Sequence, residues 1–368
     1  MPLLFDPIDL GPVTLRNRIV VAPMCQYSAI DGMPNEWHRM HLGQFAVGGA
    51  GLVFVEATGV SPEARITPGC PGIWSDAQTG AHGEIVRFFS DYGSAVPGIQ
   101  LAHAGRKASA KVPWEGGTPL EGADAWQTVA PSAEPYGPGW HTPKALDDEG
   151  LAKIEADFAA AAGRAVAAGY RAIEVHAAHG YLLHQFLSPV ANRRNDEWGG
   201  DLTGRMAFPL RVFRAVRKAA PDVAVGVRFS ATDWIEGSGW DIEDAVAFAG
   251  ALEEAGCDFV DVSSGGIGPA QAIRSGPGYQ TGFAAAVRAA VAMPVMAVGR
   301  ITDPHQAETI LATGQADLIA LARAMLYDPR WAWHAAAALG AEAAFPPQYA
   351  RCHPSLAGEP VPGNPPKR

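Results

Sequence analysis

The stretch Ile173-Glu174-Val175-His176-Ala177-Ala178-His179-Gly180-Tyr181 brings two imidazoles and a phenol together in quick succession. Ala172, Ile173 and Val175 read as a buried strand, and Gly180 breaks that pattern. His176, His179 and Tyr181 therefore emerge at the C-terminal end of a strand. Imidazole N–H groups can donate to a substrate oxygen, and a tyrosine hydroxyl can release a proton. Two donors and one weak acid suit a reaction in which a carbonyl oxygen gains charge while a neighbouring carbon is protonated. The competing readings are a metal-binding pair and a histidine satisfied within the core.

Such a constellation needs elements to position it. Short apolar runs alternate with helix-like segments along the chain. Strands are expected at Arg18–Met24, Gly51–Ala57, Val96–Leu101, Ala172–His176, Ala224–Phe229, Asp258–Val262, Pro294–Val298 and Asp317–Leu321. Glu149–Ala168 reads as a helix ending before Gly169, and Asp241–Ala255 as one capped by its Asp and closed at Gly256. Asp303-Pro304 opens another that runs to Thr313. Eight β–α alternations favour an α/β fold, a single (β/α)8 TIM barrel. A doubly wound dinucleotide fold would need GxGxxG between strand and helix, or a P-loop, and neither is present.

In a barrel, functional residues belong at the C-terminal strand ends. The expected strands end at Met24-Cys25, Ala57-Thr58, Gln100 with His103, His176 with His179, Arg228, Ser263-Ser264, Gly299-Arg300 and Ala322-Arg323. That succession describes a cofactor-sized site at one face. The loops after the seventh and eighth strands of such barrels often hold a phosphate, and Gly299-Arg300 and Ala322-Arg323 supply a small residue and a guanidinium there.

Composition sets the frame. The 368 residues are 48% hydrophobic, enough for one large core, and the net charge of −10 argues against a general nucleic-acid or anionic-membrane surface. Cys25, Cys70, Cys257 and Cys352 form no CxxC pair, so reduced thiols in a cytoplasmic protein are expected rather than a disulfide framework or a metal site. The N-terminus lacks a basic segment followed by an apolar run, and no apolar stretch is long enough to span a bilayer. The expectation is a cytoplasmic protein acting on small molecules, with no nucleic-acid or membrane partner.

The residues resemble the Old Yellow Enzyme family of FMN-dependent ene-reductases, and within it the thermophilic-like branch that includes the xenobiotic reductases. The resemblance is carried by Leu15-Arg16-Asn17-Arg18, Ala22-Pro23-Met24-Cys25-Gln26-Tyr27, Gln100-Leu101-Ala102-His103-Ala104-Gly105-Arg106-Lys107 and His176 through Tyr181. Phe186-Leu187-Ser188-Pro189, Asn192-Arg193-Arg194, Gly199-Gly200, Arg228, Gly299-Arg300 and Gln348-Tyr349-Ala350-Arg351 extend it. It implies bound FMN, with NADPH (or NADH) as reductant and an activated alkene as substrate: an α,β-unsaturated ketone or aldehyde, or a nitro compound. It also implies that Ala22, Pro23, Met24, Cys25, Ala57 and Gln100 flank the flavin ring and that Arg228 lies near N1 and O2. Gly299, Arg300, Ala322 and Arg323 would hold the phosphate. His176 and His179 would bind the substrate oxygen, Tyr27 would close the pocket, Tyr181 would protonate the α-carbon, and Cys25 would tune the flavin. The resemblance further implies a homodimer or tetramer in which Arg351 reaches the neighbouring active site.

The whole chain, 1–368, is expected to form one FMN-binding barrel, with a loop and cap at 103–147 and a tail at 345–368 on a subunit interface. One departure is Ala322, where the family usually has Gly; the added methyl group bears on how closely a phosphate approaches. The chain lacks the Cys cluster of the family's 2,4-dienoyl-CoA reductases. A flavin-free barrel lyase or aldolase is the alternative. It would need a Schiff-base lysine or an acidic metal site, and the nearest lysines, Lys107 and Lys111, lie in the loop beyond the third strand.

Overall fold

A computed structural model describes residues 2–237 and 239–352, with side chains as far as residue 349. A short hairpin, β1 (Ile8–Leu10) and β2 (Val13–Leu15), precedes the first barrel strand, β3 (Ile19–Val21). The chain continues through α1 (Glu36–Ala46), β4 (Leu52–Gly59), α2 (Asp76–Tyr92) and β5 (Val96–Ala102). After a long loop holding the short pair β6 (Val129–Ala130) and β7 (Lys144–Ala145) come α3 (Asp148–Ala168) and β8 (Ala172–Ala177). Helices α4 (Leu182–Leu187) and α5 (Leu202–Ala219) lead to β9 (Ala224–Ser230), and α6 (Ile242–Glu254) to β10 (Phe259–Ser263). The fold finishes with α7 (Thr281–Arg288), β11 (Val295–Val298), α8 (Pro304–Ala312), β12 (Leu318–Leu321), α9 (Arg323–Tyr327) and α10 (Trp331–Leu339).

Strands β3, β4, β5, β8, β9, β10, β11 and β12 pair in parallel and close on themselves. The fold is therefore the expected (β/α)8 barrel. Every expected strand is present, though the first is shorter than Arg18–Met24. Ala22 N–H still bonds the carbonyl of Leu321, but Pro23 has no N–H to continue the ladder.

Side-chain parity fills the barrel in layers. Val20, Leu52, Phe54, Ala172, Ala224, Phe259, Met296 and Leu318 form an apolar plug, closed from below by Leu10, Val13 and Leu15 of the hairpin. Gly226 leaves room for the Phe259 ring, which a Cβ there would meet at 2.4 Å. Odd-numbered residues of β8, Ile173 and Val175, face the surrounding helices, so Glu174 and His176 share the inward face with Ala172. The helices carry the caps that their sequences announce. Asp147, Asp241 and Asp303 each accept a backbone N–H at a helix start, and α3 ends on Gly169 at φ 97°.

Several histidines are buried in this framework as neutral rings. In α2, His82 Nδ1 lies 2.8 Å from the Tyr170 hydroxyl and its Nε2 3.2 Å from the carbonyl of Gly72. Burial lowers His41, His82 and His103 to about 4. The unfolded chain binds protons at these sites near pH 6.5 and the folded chain does not, so their stabilisation is present above that pH and is lost as pH falls toward 4. Thermal melts should show Tm dropping between pH 7 and pH 5 as the folding free energy weakens by at most about 1.4 kcal/mol per histidine per pH unit. A flat profile across that window would show that these rings are not neutral in the fold.

Candidate active site

The two imidazoles and the phenol converge at the C-terminal end of β8. Ala178 N–H donates to His176 Nδ1 at 3.2 Å, which puts the hydrogen of a neutral ring on Nε2. That Nε2 lies 3.4 Å from His179 Nδ1, and His179 Nε2 is 2.7 Å from the Ser263 hydroxyl. Desolvation first, and Arg228 second, hold both rings well below the ordinary imidazole range. The Tyr181 ring stands edge-on to His176 with centroids 5.0 Å apart, and burial pushes its hydroxyl well above the usual phenol range. Tyr181 therefore keeps its proton until a stronger base forms beside it.

Beneath this group lies a polar layer. Gln100 Nε2 donates to Glu174 Oε1 at 2.7 Å, and Arg228 Nε sits 3.2 Å from Asp261 Oδ2. Gln100, Glu174, Arg228 and Asp261 are all buried. Desolvation, then Asp261, push the Glu174 carboxyl up, as burial does for Asp261. One guanidinium among two carboxyls cannot neutralise both, so a shared proton is the physical expectation.

A cavity of 440 Å³ opens beside this layer, lined by Arg228, Gly299, Arg300, Ala322 and Arg323 together with His179 and Ser263. Gly299 has φ 133°, and a Cβ there would come within 3.1 Å of the Gln280 amide, which is itself held by the Val298 carbonyl and the Ser264 hydroxyl. Arg300 and Arg323 are exposed. Arg300 Nη1 is 3.3 Å from the Ser275 hydroxyl. Three guanidiniums and a backbone that excludes side chains suit an anionic ligand.

On the β3 side, Cys25 and Tyr27 lie beside one another, and Cys25 is close to the backbone of Ala57. Tyr27 holds φ 53°, and its ring meets the Trp114 ring edge-on at 5.7 Å. Pro23 and Met24 are half-buried, and Ala22 is buried at the end of its ladder. Glu56 was not anticipated. A shift in the β4–β5 register between Val55 and Ala57 leaves it as the extra residue, and its carboxyl takes the Gln26 N–H at 2.8 Å and sits 3.4 Å from His38 Nε2. Sequence reasoning placed Ser263 at a strand end without giving it a partner, and it missed Gln280 and Asp261. Glu174 and Asp261 could have been found from parity, since each is a charged residue at an inward position of a buried strand. The side chain of Arg351 lies outside the described residues.

Lys107 lies close by but is occupied. Its Nζ donates to the carbonyls of His179 at 2.7 Å and Gly266 at 3.2 Å, and it faces the rings of Tyr136 and Tyr181 at 4.8 and 4.9 Å. Burial lowers it to about 8. Its neighbour Arg106 ties the long loop down through the carbonyls of Glu134 and Ile267.

A closed parallel barrel with such side chains at the C-terminal ends of its strands defines a (β/α)8-barrel enzyme. Its family follows from comparison with known proteins. Residues 3–342 match the model of the NADH:flavin oxidoreductase / NADH oxidase family, and the chain belongs to that family, as its Old Yellow Enzyme resemblance implies. It is 42% identical over 351 residues to an NADPH dehydrogenase of Geobacillus thermodenitrificans (strain NG80-2), covering 95% of this chain and 98% of the relative. An NADPH dehydrogenase of Bacillus subtilis (strain 168) is 42% identical over 350 residues, with the same coverage. Among solved structures, morphinone reductase in complex with tetrahydroNAD superposes with a TM-score of 0.77 at 29% identity, covering 97% of this chain and 94% of that one. The protein is thus an oxidoreductase. No helix among the described residues is long and apolar enough to cross a membrane.

The environment of Cys25 makes a chemical forecast. Burial first, and the nearby Glu56 carboxyl second, raise its thiol well above the ordinary value. Because the thiolate is the nucleophile, Cys25 should alkylate with iodoacetamide at pH 7.5 at least about ten-fold more slowly than free cysteine. Glu56→Gln should recover part of that rate. Peptide mapping by mass spectrometry gives both rates, and a fast-reacting Cys25 in the unmodified protein would contradict the geometry.

Proposed function

We propose that this protein is an FMN-dependent, NADPH-oxidising ene-reductase acting on activated alkenes such as α,β-unsaturated ketones and aldehydes and on nitro compounds. The observation that carries the proposal is the pairing of the cavity lined by Arg228, Gly299, Arg300, Ala322 and Arg323 with the neutral His179 ring at its edge and the neutral His176 ring beside it. The residues fit FMN. Gly299, Arg300, Ala322 and Arg323 would hold the phosphate, and Arg228 would hold the N1–O2 edge of the ring. Ala22, Pro23, Met24, Cys25, Ala57 and Gln100 would flank the remaining ring edge, with Cys25 tuning its potential. When bound, FMN accepts hydride from the nicotinamide and passes it to the β-carbon of the alkene.

The chain's own groups supply the rest. With its hydrogen on Nε2, His176 donates to His179 Nδ1, and His179 in turn donates from Nε2 to the Ser263 hydroxyl. A substrate oxygen seated against the two rings would take the His176 Nε2–H, and would gain a second donor as the Ser263 hydroxyl turns to donate to His179 Nε2 and the hydrogen of that ring moves to Nδ1. Neutral rings suit this task because they hold the oxygen without first losing their protons to it. Tyr181 delivers its proton to the α-carbon. Tyr27 and the 103–147 segment, joined through Trp114, close the pocket and keep water away. Lys107, held by two carbonyls, is not presented as a Schiff-base nucleophile, which weighs against a flavin-free lyase.

Heat-denatured protein should release FMN, and FAD or no flavin after reconstitution would defeat the reading. Replacing both His176 and His179 with Ala should slow reoxidation of the reduced enzyme by cyclohexenone by about 10² to 10³, with flavin content retained. Unchanged reoxidation removes the imidazoles from the mechanism.

The remaining element is assembly. Arg351 follows Tyr349, whose ring packs against Arg330 at 4.5 Å and Trp333 at 6.1 Å, so the chain is anchored just before it. We propose a homodimer, or a tetramer built from it, in which Arg351 enters the partner's substrate pocket. Mixing Arg351→Ala subunits with Tyr181→Phe subunits should restore part of the activity, because a mixed dimer then holds one site without either defect. Full activity of Arg351→Ala alone, or a monomer in solution, would end this proposal.

A further inference from the structure

The backbone that carries His179 and Tyr181 is held in an uncommon conformation. His179 has φ 58° and Gly180 φ 74°, two consecutive left-handed residues of which one bears a ring. Such conformations cost about 1–3 kcal/mol for a residue other than glycine and persist where the surroundings over-determine them. Here each peptide group of the turn is bonded. His179 N–H donates to the Ser230 hydroxyl at 3.0 Å, and the His179 carbonyl accepts from Lys107. The Gly180 carbonyl accepts from Gln185 Nε2 at 2.8 Å. Gly180 N–H donates to His184 Nδ1, also at 2.8 Å.

That last bond differs from the others because it depends on a tautomer. His184 is fully buried. Its Nδ1 must present a lone pair to Gly180, so the ring's hydrogen lies on Nε2, which stands 2.9 Å from Asp233 Oδ1. Asp233, equally buried, receives the Ser188 hydroxyl at 2.6 Å and the Trp240 N–H at 2.9 Å on its other oxygen. Burial raises this carboxyl, but the His184 ring at 2.9 Å, with the Ser188 hydroxyl and the Trp240 N–H on the other oxygen, outweighs it and holds the group below its ordinary range. The carboxylate in turn makes Nδ1 a better acceptor for Gly180 N–H. A buried charge is costly unless it is paired in this way, and an apolar side chain could have filled the same space. The arrangement has a specific output: it runs Asp233 to His184 to Gly180, and the next residue is Tyr181.

We propose that Asp233 and His184 act as a positioning pair that fixes the His179–Gly180–Tyr181 turn and thereby the point from which the Tyr181 proton is delivered. This rests on the reading of Tyr181 as the proton donor. Neither side chain touches the substrate. Their effect passes through one backbone N–H.

The test uses the holoenzyme. His184→Gln keeps a neutral acceptor and a neutral donor, whereas His184→Phe keeps a ring and removes both. In stopped-flow reoxidation of the reduced enzyme by cyclohexenone, His184→Gln should stay within about two-fold of the parent. His184→Phe should fall about ten-fold or more, as expected when a reacting group is slightly misplaced. Its solvent deuterium isotope effect should rise, because proton delivery becomes limiting. Placed on Tyr181→Phe, His184→Phe should add no further loss. Equal rates for the two His184 variants, or an undiminished loss on the Tyr181→Phe background, would overturn the proposal. If Tyr181→Phe alone reoxidises at the parental rate, the proton-donor reading itself fails and this inference falls with it. Nitrogen-15 NMR of the unmutated protein supplies a measurement that no folding defect can blur. His184 should carry its hydrogen on Nε2 with Nδ1 bare, and the opposite tautomer would overturn the pair's assigned role.

Discussion

Closing eight parallel strands into a ring satisfies every strand edge, and it also points every strand the same way. All eight strand ends therefore empty onto one face, and every inward side chain belongs to one of a few layers. The apolar plug of Leu52, Phe54, Phe259 and Met296 lies at the hairpin end, the Gln100, Glu174, Arg228 and Asp261 layer above it, and His176 with Ser263 at the mouth. The layers follow from the alternation of each strand taken in register with its neighbours. Glu174 pairs across from Gln100, and Asp261 from Arg228, because the ladder places them there. A slip of one residue in β8 would turn Glu174 and His176 outward and bring Ile173 and Val175 into the barrel.

Burial in this closed interior sets the charge states that the chemistry needs. His176 is buried and His179 is half-buried at the edge of the cavity, and with Arg228 close to both the rings are held neutral. Partial burial likewise raises the Tyr181 and Tyr27 hydroxyls and the Cys25 thiol above their ordinary values, so all three keep their protons. Positive charge at the cavity comes from guanidiniums, while the Lys107 ammonium is tied to the carbonyls of His179 and Gly266. Arg228 is spoken for by Asp261 from below, which orients it, while Arg300 and Arg323 stand at the open end of the cavity. The result is a site with permanent positive charge toward one end and neutral hydrogen-bond donors toward the other.

The loops depend on the barrel as much as the strands do. Arg106 and Lys107, near the start of the 103–147 segment that follows the third barrel strand, bond carbonyls at 134, 179 and 266 and so join that segment to the loops after β8 and β10. Tyr27 and Trp114 make a second link between that segment and the first strand end. Loops that would each be mobile alone are cross-tied into one roof, and the strained turn at His179 and Gly180 is sustained by those ties.

Much of this was legible in the residues. Eight apolar runs with intervening helical periods announced a parallel barrel, and the aspartate caps and closing glycines marked helix ends to within a residue or two. The His176, His179 and Tyr181 cluster and the paired Gly299-Arg300 and Ala322-Arg323 ends were visible because local spacing within a strand and its loop determines which side chains emerge together. What was not legible depends on residues far apart in sequence. The bulge that turns Glu56 toward Gln26 and His38 exists only against the register of β5. Ser263 reaches His179 only because β10 closes beside β9, and His184 meets Asp233 only through the packing of α4 against the loop after β9. Those partners are selected by burial, which leaves each polar group to find whichever neighbour the closed barrel brings within hydrogen-bond reach. Sequence period decides the face a residue takes, and the tertiary fold alone decides what it finds there.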